Sequence, residues 1–415
     1  MIYRKNIVFF FILYISLILG FYFGENLNIG SKLDWQITNF PVISDFSEIF
    51  YITFLNYDSY NHRHSPLYLI FLSFFSKIGI NFDFIRFIHL NICLVLIYIF
   101  FKCLDLKFKN IDKNILFLIS ISIFLSPTFR SLAIWPDTRI IGLIFFTFSI
   151  YEFLKFNEKN NIKNFYKTII FLIIASYISP NFSVFIIFYL FYFFKKVDTK
   201  HILLSFLIGL ISSIPALYYL FVLDINFLLA ATPGVNKNAA MNIDFNISNK
   251  ILVISTIIFF HLIPFLFSKD FFKELILTTK KYIIYILIFF IINLLLFDYV
   301  ISFTGGGFFF QFSNLVLGNN FIFYFFSLIS LTILLNFFKY KFYNFLLYSL
   351  LILSNIQNTI YHKYYDPLVM ILFFLMTFHF LPEKFLSNKK NLIFLYLFYF
   401  SYILLRILKK LLYLY

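Results

Sequence analysis

Charge is scarce in this chain. Of its 415 residues only 13% are Asp, Glu, Lys or Arg, against about 25% in ordinary soluble domains. A water-exposed surface needs more charge than this, so a soluble globular protein is excluded, and so is a solvated disordered chain. Cysteine is nearly absent: Cys93 and Cys103 are the two present. Both fall in one apolar run, so a secreted disulfide scaffold is excluded. Eleven glycines and ten prolines, without a period, exclude a fibrous repeat. No HExxH, CxxC or paired His/Cys cluster is present, so no structural metal is expected. There is no GxSxG elbow. Gly305-Gly306-Gly307 lacks the Lys and Ser/Thr of a phosphate loop and is assigned no chemistry.

Apolar side chains dominate instead. They make up 61% of the chain, led by 68 Phe and 30 Tyr; with abundant Ile, Asn and Lys, this fits AT-rich codon usage. The net charge of +15 lies in short gaps between apolar runs, the pattern of a polytopic membrane protein rather than of a nucleic-acid-binding face. The chain reads as one all-α transmembrane domain of about 12–13 helices. A first span covers 7–23, with Arg4 and Lys5 on the cytoplasmic side. A first outer loop covers 25–80 and includes a juxtamembrane helix at Leu67–Ile80, too short for a span of about 20 residues. A helical module follows at 84–222, then an outer loop at 223–250 and C-terminal helices over 251–415. Within these, spans are expected at 84–101, 115–126, 140–154, 168–179, 181–194, 202–222, 251–267, 283–300, 321–337, 343–355, 366–381 and 391–405. Gaps rich in Lys alternate with gaps poor in it, which orients the spans. Thirteen spans place Arg406, Lys409 and Lys410 outside, against that rule, so the side of the C-terminus stays open. The short loops suit a bacterial inner membrane, with the N-terminus cytoplasmic.

Polar groups at a membrane are costly, so their placement is informative. Four outer segments gather them. The first, Glu25–Pro66, holds Glu25, Asp34, Asp45, Glu48 and Asp58, then Asn61-His-Arg-His64-Ser65-Pro66-Leu67-Tyr68. A carboxylate at the membrane surface can act as general base on an acceptor hydroxyl; each acid taken singly also fits a solvated loop. The second, Ser126–Arg139, packs Arg130, Asp137 and Arg139 into a short gap. Arginine binds phosphate through its planar fork, or forms a surface ion pair and snorkels. The third, Asp224–Lys250, is either a substrate cover or an inert connection. The fourth runs Gln357 to Pro367 and presents His362 and Lys363 ahead of Asp366. Lys363 fits a substrate or a lipid headgroup, and Asp366 fits a helix cap. His261 and Asp298 lie in or beside apolar runs, and His261 reads as a satisfied buried residue.

The order of these features resembles the GT-C class of integral-membrane glycosyltransferases, which includes protein O-mannosyltransferases, aminoarabinose transferases and Rgt-like sugar transferases. A first span leads into a long outer loop with acids, ending here in His64-Ser65-Pro66-Leu67-Tyr68. Two spans follow, then Ser126-Pro127 with Arg130 and Asp137, then a span with the aromatic-rich stretch Phe145 to Phe156. The resemblance covers roughly Ile7–Leu154; beyond that it is one of topology. It implies a sugar donor linked to a polyprenyl phosphate, a lipid, glycan or protein acceptor, and inversion by single displacement. It implies a catalytic aspartate in the first outer loop, where Asp34 is slightly preferred over Asp45. Asp137 takes the place of the second acid, and Glu48, His64, Arg130, Arg139, His362 and Lys363 would bind substrate. The oligosaccharyl branch of the class carries D-x-D with a metal; here the run is Pro136-Asp137-Thr138-Arg139, so a metal-free reaction without cofactor is favoured over one using a divalent ion. The expected partners are the lipid-linked donor, the acceptor and membrane lipids, with no nucleic acid. A polysaccharide polymerase or ligase, and a transporter or flippase, are the rival readings.

Overall fold

A computed structural model describes residues 3–28, 30–60, 65–225, 246–300, 305–355 and 357–412. Among these the regular structure is helical, with no strand. Among the described residues eight helices are long and apolar enough to cross a membrane, so the chain is a multi-pass membrane protein. It divides into two compact units, residues 1–237 with 396–415, and residues 238–395.

The first unit opens with α1 (Arg4–Tyr22), the expected first span. The segment read as an outer loop is instead folded. It begins with α2 (Gly30–Asp34), passes through a π-turn at Trp35–Asn39 into α3 (Phe40–Glu48), and continues to α4 (Phe50–Leu55) and a 3-10 turn at Tyr57–Tyr60. Its apolar residues Trp35, Val42, Ile43, Phe46 and Tyr57 are buried, which makes it a packed cap rather than a solvated strand of chain. The short helix expected at Leu67–Ile80 appears as α5 (Leu67–Lys77). Then come α6 (Phe82–Lys107), α7 (Lys113–Ile121) and α8 (Pro127–Ile134).

Side-chain caps set these helix starts. Asn81 accepts from the Phe84 amide at 2.8 Å, and Asp112 from Asn114 at 2.9 Å. Ser126 accepts from Phe129 at 2.9 Å, with Pro127 in the first turn, where a missing N–H costs nothing. The helical stretches Lys113–Leu125 and Pro127–Ile134 meet at 65°. What reads as a loop after a span is thus a buried helix set at an angle to it, and every residue of α8 is buried.

Asp137 caps α9 (Thr138–Lys159), which packs along α10 (Ile162–Ile178) and α6. Gly142 permits part of that approach: a Cβ there would lie 2.7 Å from the Ser179 Cβ. The Ser179-Pro180-Asn181 break leads through a short 3-10 turn to α11 (Phe185–Phe193), and α12 (Thr199–Leu217) follows.

The second unit contains α13 (Ile247–Leu262), α14 (Lys269–Leu295), α15 (Gly307–Leu317), α16 (Phe321–Tyr340), α17 (Phe342–Leu353), α18 (Leu368–Leu375) and α19 (Leu381–Ser387). Here the expected spans need correction. The stretch 366–381 yields only the eight-residue α18, whose residues are all buried, and α17 has twelve residues. Helix α14 begins at Lys269, so the lysines read as an inside gap lie along its first half. Counting the bent pair as one span gives up to nine candidates among the described residues, against the 12–13 expected. Apolar stretches of ten to seventeen residues satisfy composition without the length to cross.

The last helix, α20 (Lys390–Leu412), ends in the first unit. Tyr396 donates to the Leu118 carbonyl and packs on Phe9, while Arg406 donates to the Leu27 carbonyl at 2.9 Å and to the Asn28 side chain at 3.2 Å. Helix α20 therefore runs parallel to α1, and Arg406 lies at the end where α1 finishes. Its positive charge is used as a donor to the start of the cap. In intact cells expressing single-cysteine variants, Glu48→Cys and Leu411→Cys should react with a membrane-impermeant maleimide from the same side. Lys5→Cys should react from the opposite side; labelling of Leu411→Cys from the same side as Lys5→Cys would contradict the parallel arrangement.

Candidate active site

The polar groups of the first unit converge where the cap meets the α8–α9 turn. Arg130, 5% exposed, grips Glu25 bidentately: Nε donates to Oε1 and Nη2 to Oε2, each at 2.6 Å. Its remaining donors reach the Ser16 carbonyl at 3.0 Å and the Ser16 hydroxyl at 3.3 Å. Gly20 makes room for this pair, since a Cβ there would sit 2.6 Å from Glu25 Oε2 and 3.0 Å from Arg130 Nη2. The guanidinium read as a phosphate binder is thus committed to a buried ion pair that ties α8 to the end of α1.

Trp135 donates through Nε1 to the Glu25 carbonyl at 2.8 Å. Asn39 on the cap donates to the Pro136 carbonyl at 2.8 Å, and the Asn28 amide donates to Ser131 Oγ at 2.9 Å. These bonds place the first part of the cap against the turn Trp135-Pro136-Asp137-Thr138-Arg139. Asp137 is 6% exposed, accepts from the Arg139 amide at 2.8 Å, and lies 3.8 Å from Arg139 Nε. A further chain of bonds orients the Ser-Pro-Leu-Tyr run. His89 donates through Nε2 to the Leu132 carbonyl at 2.8 Å, so its Nδ1 accepts from the Tyr68 hydroxyl at 2.5 Å. Tyr68 on α5, His89 on α6 and α8 are thereby held together.

Of the candidate bases, Asp34 is half-buried at the start of the π-turn. Asp45, also half-buried, accepts a 2.5 Å hydrogen bond from the Tyr60 hydroxyl. Burial first, then the bond to Asp45, raise the Tyr60 pKa above its usual value, so Tyr60 stays protonated as a donor. Glu48 is exposed, and His64 lies outside the described residues.

Beside the cap, between α5, α10 and α12, runs an apolar groove of about 790 Å³ whose walls include Pro66, Leu67, Ile70, Phe206, Leu210 and Tyr219. Leu67, Phe206 and Leu210 are 46%, 57% and 63% exposed, so the groove is open at its side. Tyr219 also donates to the Phe54 carbonyl of the cap at 2.8 Å.

His362 and Lys363 belong to the second unit. The Phe308 amide donates to His362 Nε2 at 2.7 Å, which leaves the ring proton on Nδ1, 3.3 Å from His261 Nε2. The pair fastens the Gly305–Gly307 turn, whose three residues have φ of +98°, +76° and +79°, a conformation only glycine adopts without strain. Buried His261 therefore has a partner that sequence reading did not supply. Lys363 lies 5.4 Å from the Tyr361 ring. Elsewhere in this unit, burial lowers the His379 pKa to about 4. Among the described residues no group of three His, Cys, Asp or Glu is arranged to hold a metal.

Two residues escaped sequence reading. Tyr60 carried no signal, being one of 30 tyrosines. Arg86 did carry one: it is a lone cation inside the apolar run of the second span, where charge is expensive. Comparison with protein-family models, with curated proteins and with solved structures finds no significant match.

Removing one partner of a buried ion pair costs roughly 3–5 kcal/mol. Arg130→Ala should therefore lower the thermal unfolding temperature of the detergent-purified protein sharply, and Gly20→Ala should lower it by overpacking the same pair. Unchanged melting in both variants would show that the pair does not support the fold.

Proposed function

We propose that the chain is a membrane glycosyltransferase that moves a sugar from a polyprenyl-phosphate donor to a lipid, glycan or protein acceptor. The reaction takes place on the outer face of what we read as a bacterial plasma membrane, with the N-terminus in the cytoplasm. The observation that carries this reading is a juxtaposition within one unit: a packed cap bearing Asp34 and Asp45, a buried Asp137–Arg139 turn beneath its first helices, and an apolar groove alongside. The groove volume of about 790 Å³ is within the range of roughly 300–1,000 Å³ typical of ligand pockets. Its open side carries exposed apolar residues that in a membrane face acyl chains, so an isoprenoid tail can enter laterally.

The chemistry needs an activated hydroxyl and a stabilised leaving phosphate. The acceptor oxygen attacks the anomeric carbon and gives its proton to a cap carboxylate; the bond from that carbon to the phosphate oxygen breaks, and polyprenyl phosphate departs with the electron pair. Asp45 is the better supported base, because the Tyr60 hydroxyl fixes its orientation. Arg139, held beside Asp137, is the cation of the turn that faces the developing phosphate charge.

Membranes holding each variant, given a radiolabelled polyprenyl-phosphate sugar, test this. Asp45→Asn should cut transfer by about 10²–10⁴-fold, the usual contribution of a general base, while the protein stays folded and inserted. Asp34→Asn should have the smaller effect. Wild-type transfer in both variants would remove the cap carboxylates from the mechanism, and no transfer from any donor by the wild-type protein would remove the glycosyltransferase reading.

A further inference from the structure

With Arg130 committed to Glu25 and Arg139 standing beside Asp137, the phosphate of a lipid-linked ligand calls for a further cation. Arg86, on α6, is 9% exposed. Its guanidinium carbon lies 3.8 Å from the centre of the Trp135 ring and 4.8 Å from that of Phe21. Nε donates to the Ile134 carbonyl at a long 3.3 Å and Nη1 to Asp83 at 2.9 Å, while Nη2, fully shielded, makes no hydrogen bond. An unpaired donor on a buried cation is costly, and such groups call for an explanation. Asp83 is a weak claim on this cation, because its side chain is 84% exposed and an ion pair with so solvated a partner contributes little.

Lys32, on the cap, brings a second cation to the same indole, 5.6 Å from its centre. Trp135 is fixed as the platform by its bond to the Glu25 carbonyl. Asp137 and Arg139 also lie close by and face each other, and Glu25, whose carbonyl holds the indole, has its carboxylate paired with Arg130. A guanidinium stacked on an aromatic face keeps its N–H edge available for an anion in its own plane, the geometry that takes phosphate oxygens two at a time.

We propose that Arg86 and Lys32, gathered on Trp135, form a phosphate-binding site at the seam between the cap and α6. This deepens the glycosyltransferase reading and rests on it for the identity of the ligand as a lipid-linked phosphate; the phosphate chemistry itself follows from the cluster. On binding, Nη2 gains its acceptor and Lys32 closes from the cap side. The site thereby couples docking of the cap to occupation by the donor.

The chain has two tryptophans, so Trp35→Phe leaves Trp135 as the sole indole reporter. In that background, in lipid nanodiscs, Trp135 emission is followed during titration with farnesyl phosphate, with farnesol, and with inorganic phosphate as competitor. Farnesyl phosphate should shift the emission and farnesol should not. Lys32→Gln should weaken binding about 10-fold and Arg86→Lys, which keeps the charge but loses the fork, at least as much. Displacement by inorganic phosphate would assign the site to phosphate as such; binding without displacement would assign it to the lipid-linked form. Equal response to farnesol, or wild-type affinity in Lys32→Gln, overturns the site; Lys32 is half-exposed, so that variant decides even where Arg86→Lys fails to fold. Phosphate-dependent binding with no sugar transfer would keep the site and remove the glycosyltransferase reading. Transfer with wild-type KM in Lys32→Gln would do the reverse.

Discussion

The buried pair between Arg130 and Glu25 is the constraint around which the first unit is built. Neither charge could be left alone in an apolar interior, because an isolated buried ion costs far more than the pair returns. The pair therefore fixes three things at once. It holds α8, set at 65° to α7, against the end of α1, because Arg130 lies on α8 and Glu25 just after α1. It requires Gly20, because any side chain there would collide with both partners. And it sets the height at which the cap begins, since Glu25 is the first acid after α1. Trp135 then bonds to the carbonyl of the same Glu25, so the platform for Arg86 and the anchor for the cap are one local structure.

Much of this was legible in sequence because membranes make polar residues conspicuous. The first span, the short helix α5 and the second span emerge where apolar runs place them, whereas the stretch after Ser126, read as an outer gap, is the buried helix α8. The total number of spans did not emerge. Composition cannot separate a segment that is apolar because it meets lipid from one that is apolar because it is packed in protein, and α18 is the second kind. Nor can it show that an acidic stretch such as Gly30–Tyr60 is a packed cap. Its apolar residues are spaced for burial, yet its acids dominate a reading by charge.

The site divides in the same way. Asp45, Asp137, Arg130 and Arg139 could be chosen by type and position, but the use of each depends on partners far away in sequence. Arg130 and Glu25 are separated by 105 residues, and Asn39 and the Pro136 carbonyl by 97. Such pairings leave no local pattern. Arg86 is the instructive case: its rarity inside an apolar run marks it, but only the Trp135 stack and the unpaired Nη2 say what kind of group it is.

The placement of Arg406 follows from the same economy. A cation at the end of a helix where few cations are expected must have a local use, and it finds one on the Leu27 carbonyl and the Asn28 side chain. Those residues lead directly into the cap, a few positions before Lys32. The cap is thus held at its root by the last helix of the chain, through Arg406, and along its first turns by Asn39 and Ser131. Between these fastenings lies Lys32, the one cation of the cap's first helix. A cap fixed at root and seam but carrying its charge between them can adjust Lys32 without losing its seat, which is what a group that closes on a ligand phosphate requires.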